Sequence, residues 1–517
     1  MKRQREEEAD NGSDSKLKAE TEATGAVDIA SNGETGQKVS VLPGPKSESM
    51  TEGVAKDEAI ESDEEYRAVR YTSRVPVRKG AECPYLDTIS RQNLDFDFEK
   101  CCSVSLSPVN VYACLVCGKY FQGRGPKTHA YTHALEAKHH MFMKLEDGKV
   151  YCLPDMYEVV DRTLDDIRHV LNPLLTSQEL SSLEEYKWAR AVDGTYYMPG
   201  LVGLNNMKAN DYANVVIQML VRVPAIRDFF LVPKNYAGSN SLIVKSFGEL
   251  LRKIWNPRAF RGQVSPHQFM QAVILASKKR FLIDKQGDPI EFCSWLLNTL
   301  HADLTGNKRK ASSVITKCFQ GKLQVTTEAG TGKAKGMSED LVEEVPFLLL
   351  GLDLPATPLF QDAMERNAIP QVQLFHIMQK FDGSSVHDSI KTGRRRFKIL
   401  RLPRYLVLHM KRFYKNNFFI EKNPTIVNFP VKNWEVKDSV PLPPLKPGGT
   451  PQPSKYNLIA NICHDGKAGE GVYRCHVHRS AEDLWYENQD LSVVEVLPQM
   501  VALSETYMQV YELQKSQ

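Results

Sequence analysis

The chain runs to 517 residues, 42% of them hydrophobic and 25% charged, with a formal net charge of +3. That length exceeds one ordinary core, so two or three ordered units are expected. No apolar run approaches the about 20 residues that span a bilayer, and the charged opening "MKRQREEEAD" lacks a secretory apolar core, so membrane-spanning and exported classes fall outside the expectation.

Residues 1–65 hold 8 Lys/Arg against 17 Asp/Glu and no aromatic side chain. Such a stretch cannot bury enough apolar surface to offset its ordering entropy and is read as a disordered acidic tail. Its "KRQR" is a nuclear-import candidate, although a solvated charge run is the plainer reading.

A small unit is expected over residues 75–160. Six of the ten cysteines fall in it: Cys83, Cys101, Cys102, Cys114, Cys117 and Cys152. Without a secretory leader they point to thiols or metal ligands rather than a disulfide framework. Cys114 and Cys117 form a C-x2-C bite, the spacing that lets two thiolates share a tetrahedral ion. His129 and His133 are spaced to share a helix face, with His139 and His140 following. Four N/S ligands would close a structural zinc site, whereas a redox C-x2-C would not need the histidines.

This segment resembles the zinc finger found in many ubiquitin-specific proteases. Matching its motif gives Cys114, Cys117, His133 and His139 as one complete site, which implies one structural zinc ion. Two further sites common in the family are interrupted. Cys102 and His129 meet Ser105 and Gln122 where ligands belong, and Cys83 and Cys152 meet Tyr85 and Asp155. Ubiquitin-binding members grip the free C-terminus of ubiquitin with an arginine and aromatic residues. Arg124 and Tyr151 fall at those positions, so ubiquitin is a candidate ligand of the finger.

Residues 161–195 carry apolar side chains at three- and four-residue spacing and are expected to form a helical connector. Residues 196–515 form the large unit. Its landmarks are "GLNNMKANDYANVVIQML", "QGDPIEFCSWLLNTLHADL", "VPFLLLGLDLP", "LPRYLVLHMKRF", "KYNLIANICHDGKAGEGVYRCHVH" and "DLWYENQDLSVVEV". In that order they resemble the catalytic domain of the ubiquitin-specific proteases. The resemblance implies an α+β, papain-like hand of fingers, palm and thumb. No C-x2-C pair is present to hold a fingers zinc; only Cys293, Cys318, Cys463 and Cys475 lie in this unit.

Thiol-protease chemistry needs a thiolate, an imidazole in reach and a third group that orients it. The family's nucleophile position holds Asp211, which is expected to act as a helix N-cap. The imidazole position holds Val472, and the orienting position holds Gln489, followed by Asp490. Asn206 matches the oxyanion donor, and a lone donor cannot form an acyl-enzyme. His464 is expected to be a packed core residue. His476 and His478 share the strand face of Val472, about 13 Å and more along the strand.

The run of Lys and Arg in 391–417 reads as a strand with a solvated basic face, or as a contact for RNA phosphates or acidic protein segments. Finger, hand and altered triad together resemble an inactive, splicing-associated branch of the family. That resemblance implies a nuclear, non-catalytic scaffold of the spliceosomal tri-snRNP, acting in pre-mRNA splicing and spliceosome assembly. Tri-snRNP proteins are its expected partners, with snRNA backbone a candidate for the basic surface. The alternatives are a ubiquitin or ubiquitin-like isopeptidase using Cys463 or Cys475 with a neighbouring histidine, and a ubiquitin-reading adaptor that does not cut.

Overall fold

The computed structural model describes residues 77–79, 83–185, 187–306, 308, 311–336, 338–356, 369–389, 393–415, 420–445 and 449–515. The acidic stretch 1–65, with its "KRQR", lies outside them.

The finger is a six-stranded sheet. Its strands are β1 (Val77–Lys79), β2 (Val111–Cys114), β3 (Tyr120–Gln122), β4 (Met141–Lys144), β5 (Val150–Cys152) and β6 (Tyr157–Val160), in the order β1-β6-β5-β4-β2-β3. Its central strands are apolar at nearly every position because both faces are covered. Alternate side chains point to opposite faces of a strand. Val111, Ala113, Met141, Met143, Val150 and Cys152 accordingly join one core. Tyr112, Cys114, Phe142 and Tyr151 join another beneath helix α1 (His129–Glu136), which adds Ala130 and Ala134.

The connector is not one helix. Helix α2 (Asp165–Leu171) stops at Asn172, because Pro173 disfavours helical backbone in the residue before it and cannot continue the hydrogen-bond ladder. Its apolar face, Ile167 and Leu171 with Leu164, belongs to the finger core. Helix α3 (Ser177–Ser181) restarts with a Thr176/Glu179 capping box. Residues 189–190 and 196–197 then pair as short antiparallel strands. Leu183 enters the hand core, and Glu184 meets the buried side chains of Arg222 and Arg227 while its carbonyl accepts from Arg479. Burial opposes the Glu184 charge, yet Arg222 and Arg227 hold its carboxyl below the usual range.

In the hand, helices α4 (Asp211–Val221), α5 (Pro224–Leu231), α6 (Leu242–Ile254), α7 (His267–Ala276) and α8 (Pro289–Thr305) come first. All eleven residues of α4 are buried, its polar Asp211, Asn214 and Gln218 falling along one face at three- and four-residue spacing. Two sheets follow. The four-stranded one takes β7 (Gly321–Thr327), β8 (Leu341–Phe347), β10 (Asp382–His387) and β11 (Arg395–Arg401) in the order β8-β7-β11-β10. The larger one takes β9 (Leu350–Asp353), β12 (Tyr405–Lys411), β13 (Lys455–Asp465), β14 (Val472–Arg479), β15 (Leu484–Gln489), β16 (Ser492–Val496) and β17 (Thr506–Leu513). Their order is β9-β12-β17-β13-β14-β15-β16, with Trp434–Glu435 paired onto β13. Helix α4 packs against β14, which carries the altered His box, and so brings distant motifs together.

Finger and hand meet through alternating residues of "LDFD". Leu94 and Phe96 point into the finger core, while Asp95 and Asp97 face the hand. Arg261 pairs with Asp95 at 2.7 Å, and Asp97 accepts from Ser265 N at 2.8 Å. The buried Lys253 of α6 reaches Asp97 at 3.2 Å, Glu249 at 3.5 Å and the Phe96 carbonyl at 2.9 Å. Burial disfavours its charge, but Asp97 and Glu249 prevail and raise its pKa above the ordinary lysine value. Removing one partner of such a buried group leaves charge uncompensated. K253A is therefore expected to cost about 3–5 kcal/mol in equilibrium denaturation and to loosen the finger; a loss below about 1 kcal/mol would contradict this assignment.

Candidate functional site

The finger brings four donors to one point. Cys114 ends β2, Cys117 follows it through a tight knuckle, His133 lies on α1 and His139 precedes β4. Gly118, at φ +77°, closes the knuckle: a Cβ there would stand 2.1 Å from the Asn93 carbonyl oxygen. Cys114 Sγ lies 3.5 Å from His139 Nδ1, Cys117 Sγ 3.5 Å from His133 Nε2, and the two imidazole nitrogens are 3.1 Å apart. All four donor atoms fall within 4.8 Å of one another. Zn–S and Zn–N bonds of about 2.3 and 2.0 Å at tetrahedral angles give S···N edges of about 3.5 Å, so the set fits a zinc ion.

The interrupted sites are filled by other interactions. Ser105 Oγ donates to Gln122 Oε1 at 2.8 Å, and Cys102 Sγ accepts from the amides of Val104 and Ser105. His129 stands half-buried at the start of α1. Cys83 contacts Met141 Sδ at 3.8 Å and accepts from Tyr157 OH at 3.3 Å, while Tyr85 stacks on His140 and Asp155 is exposed. Arg124 is buried with its guanidinium 4.1 Å from the Tyr151 ring centroid, and its Nη1 has no hydrogen-bond partner among the described residues.

In the hand, Asp211 is the first residue of α4 and Asn210 occupies the cap position. The expectation that Asp211 caps its own helix is corrected: its carboxylate turns to β14 instead. Asp211 Oδ2 accepts from Tyr473 N at 3.2 Å and from Gln286 Nε2 at 2.6 Å; Gln286 also donates to the Gly471 carbonyl at 3.0 Å. Burial raises the Asp211 pKa, and the donors Tyr473 N–H and Gln286 offset part of that rise. Gly471 leaves room for the His464 ring behind it, since a Cβ there would lie 2.2 Å from His464 Cε1.

The oxyanion position is occupied from within. Asn206 Nδ2 donates to Asp490 Oδ2 at 3.0 Å, Asn214 Nδ2 donates to Asp490 Oδ1 at 2.9 Å, and Leu204 N donates to the Asp490 carbonyl at 2.8 Å. Asp490 follows Gln489, the last residue of β15, and turns the chain in a left-handed conformation, φ +50°. Val472 opens β14 with 43% of its surface exposed. The carboxylates of Asp211 and Asp490 therefore each have their own donors, and no hydrogen bond joins them in a shared-proton dyad. Sequence reasoning missed Gln286 and Asn214. Asn214 was detectable as the middle of a polar set, Asp211, Asn214 and Gln218, along one face of the helix; Gln286 carried no such signal.

The remaining thiols and imidazoles do not meet. Cys463 and Cys475 are fully buried, and burial pushes the Cys463 thiol up to about 12 and Cys475 well above its usual value. His464 packs edge-on against Phe413 and Tyr473, with burial lowering its pKa to about 4. His476 is held by Glu487 and His478 by Asp483, each at 3.0 Å. Among the described residues, thiol–imidazole contacts within hydrogen-bond range occur only in the finger cluster.

The basic run 391–417 is partly paired where it is described. Arg394 pairs with Glu328, Arg396 with Asp340 and Lys411 with Asp353, at 3.0, 2.7 and 3.1 Å. Arg412 is buried and donates to the Thr506 and Asn423 carbonyls. Arg401 and Arg404 stay exposed, so the segment keeps a solvated basic face.

Asp490 is the keystone of the altered centre. D490A is expected to lower stability by about 2–3 kcal/mol in chemical denaturation, since two amide side chains lose a charged acceptor, and D490N to lose less. Equal effects of both, or none, would mean the network carries no weight.

The comparisons agree with this geometry. A family model described as ubiquitin carboxyl-terminal hydrolase matches residues 202–511, and one described as a Zn-finger in ubiquitin-hydrolases and other protein matches 101–164. The chain is 48% identical over 479 residues to Ubiquitin carboxyl-terminal hydrolase 39 of Homo sapiens, covering 88% of this chain and 84% of that relative. It is 43% identical over 446 residues to the Probable mRNA-splicing protein ubp10 of Schizosaccharomyces pombe, covering 83% and 88%. The solved structure "Crystal structure of an essential yeast splicing factor" superposes with a TM-score of 0.69 at 26% identity, covering 84% of this chain and all of that one. Sequence, fold and altered centre thus converge: the chain belongs to the ubiquitin carboxyl-terminal hydrolase family.

Proposed function

We propose that this protein is a non-catalytic scaffold that acts in pre-mRNA splicing, resident in the nucleus and associated with the tri-snRNP. The observation that carries the reading is the centre itself. A carboxylate stands where sulfur is needed, a half-exposed valine where imidazole is needed, and the oxyanion donor is engaged by Asp490. An acyl intermediate on Asp211 would be a high-energy anhydride, and no base is placed to form it. What the fold keeps is a rigidly joined finger and hand, suited to holding partners. Two relatives named for splicing supply the process.

The test is affinity capture of the full chain from nuclear extract. Tri-snRNP proteins and their RNAs are expected to co-purify; ubiquitin conjugates recovered without any snRNP would replace the scaffold by a ubiquitin-reading adaptor.

We further propose that Cys114, Cys117, His133 and His139 hold a single structural zinc ion, with no fingers zinc in the hand. When bound, the ion would tie α1, the knuckle and β4 together without an open position for chemistry. Metal analysis is expected to give about one zinc per chain. Chelation, or C117A, is expected to unfold the finger while the hand retains its cooperative melt. Two or more equivalents, or an unchanged finger in C117A, would refute this ligand set.

A further inference from the structure

The loop from α7 to α8 carries a charged surface that the altered centre does not use. Lys278 and Lys279 follow the end of α7 in left-handed conformations, φ +53° and +65°, and Lys279 N donates to the Ile274 carbonyl at 2.8 Å. Left-handed backbone just past a helix favours glycine and disfavours any residue with a Cβ. A cation anywhere in the last turn would satisfy the helix dipole, so capping alone does not call for lysine at both positions.

The loop before α4 is tied to the same segment. Ala209 N donates to the Ile283 carbonyl at 2.9 Å, and Tyr212 OH to that of Leu282 at 3.1 Å. Lys208 thereby lies beside the segment that carries Lys285, and Lys278 and Lys279 open the same segment. All four are exposed, and none makes an ion pair among the described residues. Arg280 is already held by Glu291 at 2.8 Å, and Asp284 is the exposed acid on the loop. Lys285 also lines a cleft of about 130 Å³, together with Tyr212, Gln286, Asp288 and the paired Arg280 and Glu291.

We propose that Lys208, Lys278, Lys279 and Lys285 form a binding surface for the sugar–phosphate backbone of RNA, recognised by charge and not by base sequence. The inference rests on the splicing reading above. Lysine binds phosphate as a point charge and needs no fork, and the splicing reading supplies RNA as the source of that phosphate; the one arginine here is occupied by Glu291. Base reading is not implied, since no exposed aromatic side chain on this loop offers a stacking platform.

The full chain is titrated with a short fluorescent oligouridylate across about 50 to 200 mM salt. Replacing all four lysines by glutamine is expected to weaken binding at least tenfold and to flatten the slope of log affinity against log salt by about 3, at about 0.7 per lost phosphate contact. A second variant, K278G/K279G, relieves both left-handed positions. It is expected to melt at or above the parent temperature and still lose about half of that slope. An unchanged slope in either variant, with melting and zinc content intact, overturns the proposal. So does tighter binding of a glutamate-rich peptide of equal charge, which would assign the surface to an acidic protein. A parent chain that captures snRNP proteins yet shows no salt-dependent affinity for the oligouridylate overturns this inference alone and leaves the scaffold standing.

Discussion

The large domain turns on one buried carboxylate. Asp211 begins the most buried helix of the molecule, and its Oδ2 accepts at once from the backbone of β14 and from Gln286 ahead of α8. In a thiol protease those three segments surround a cleft in which a substrate bond must fit. Here they are stitched to each other. A buried carboxylate is costly unless it is hydrogen-bonded, and here Oδ2 takes both donors while Oδ1 has no partner among the described residues. Asp490 repeats the logic one turn along the helix by engaging Asn206 and Asn214.

The same principle joins the domains. Lys253 is charged in a place that burial alone would forbid, and it stays so because Asp97 crosses from the finger to meet it. A finger fixed in this way presents its surfaces at a set angle to the hand.

Much of this was legible in the residues. The Cys114/Cys117 spacing and the histidines on and after α1 predict the cluster because local geometry decides it. The strand alternation of the finger is equally local. The ordered motifs of the hand locate α4 and β14, and the substitutions at Asp211, Val472 and Gln489 are visible without coordinates. What stayed hidden depends on contacts between residues far apart in the chain. Asp490 reaches Asn206 across more than half of the molecule, and nothing near either residue announces the bond. The role of Asp211 was misjudged because cap preference is a local statistic, while its donors come from β14 and Gln286. The ion pairs of the basic run were hidden for a similar reason: Glu328, Asp340 and Asp353 lie far from it in the chain.

The measurement that bears most directly on the account is turnover of a ubiquitin C-terminal amide substrate by the unmodified chain, beside the double variant D211C/V472H. The account predicts no turnover above buffer for the unmodified chain. It predicts at most a trace for the double variant while Asp490 holds Asn206, because a thiol and an imidazole would face an engaged oxyanion donor. Turnover by the unmodified chain that disappears on substitution of Asp211 would contradict it.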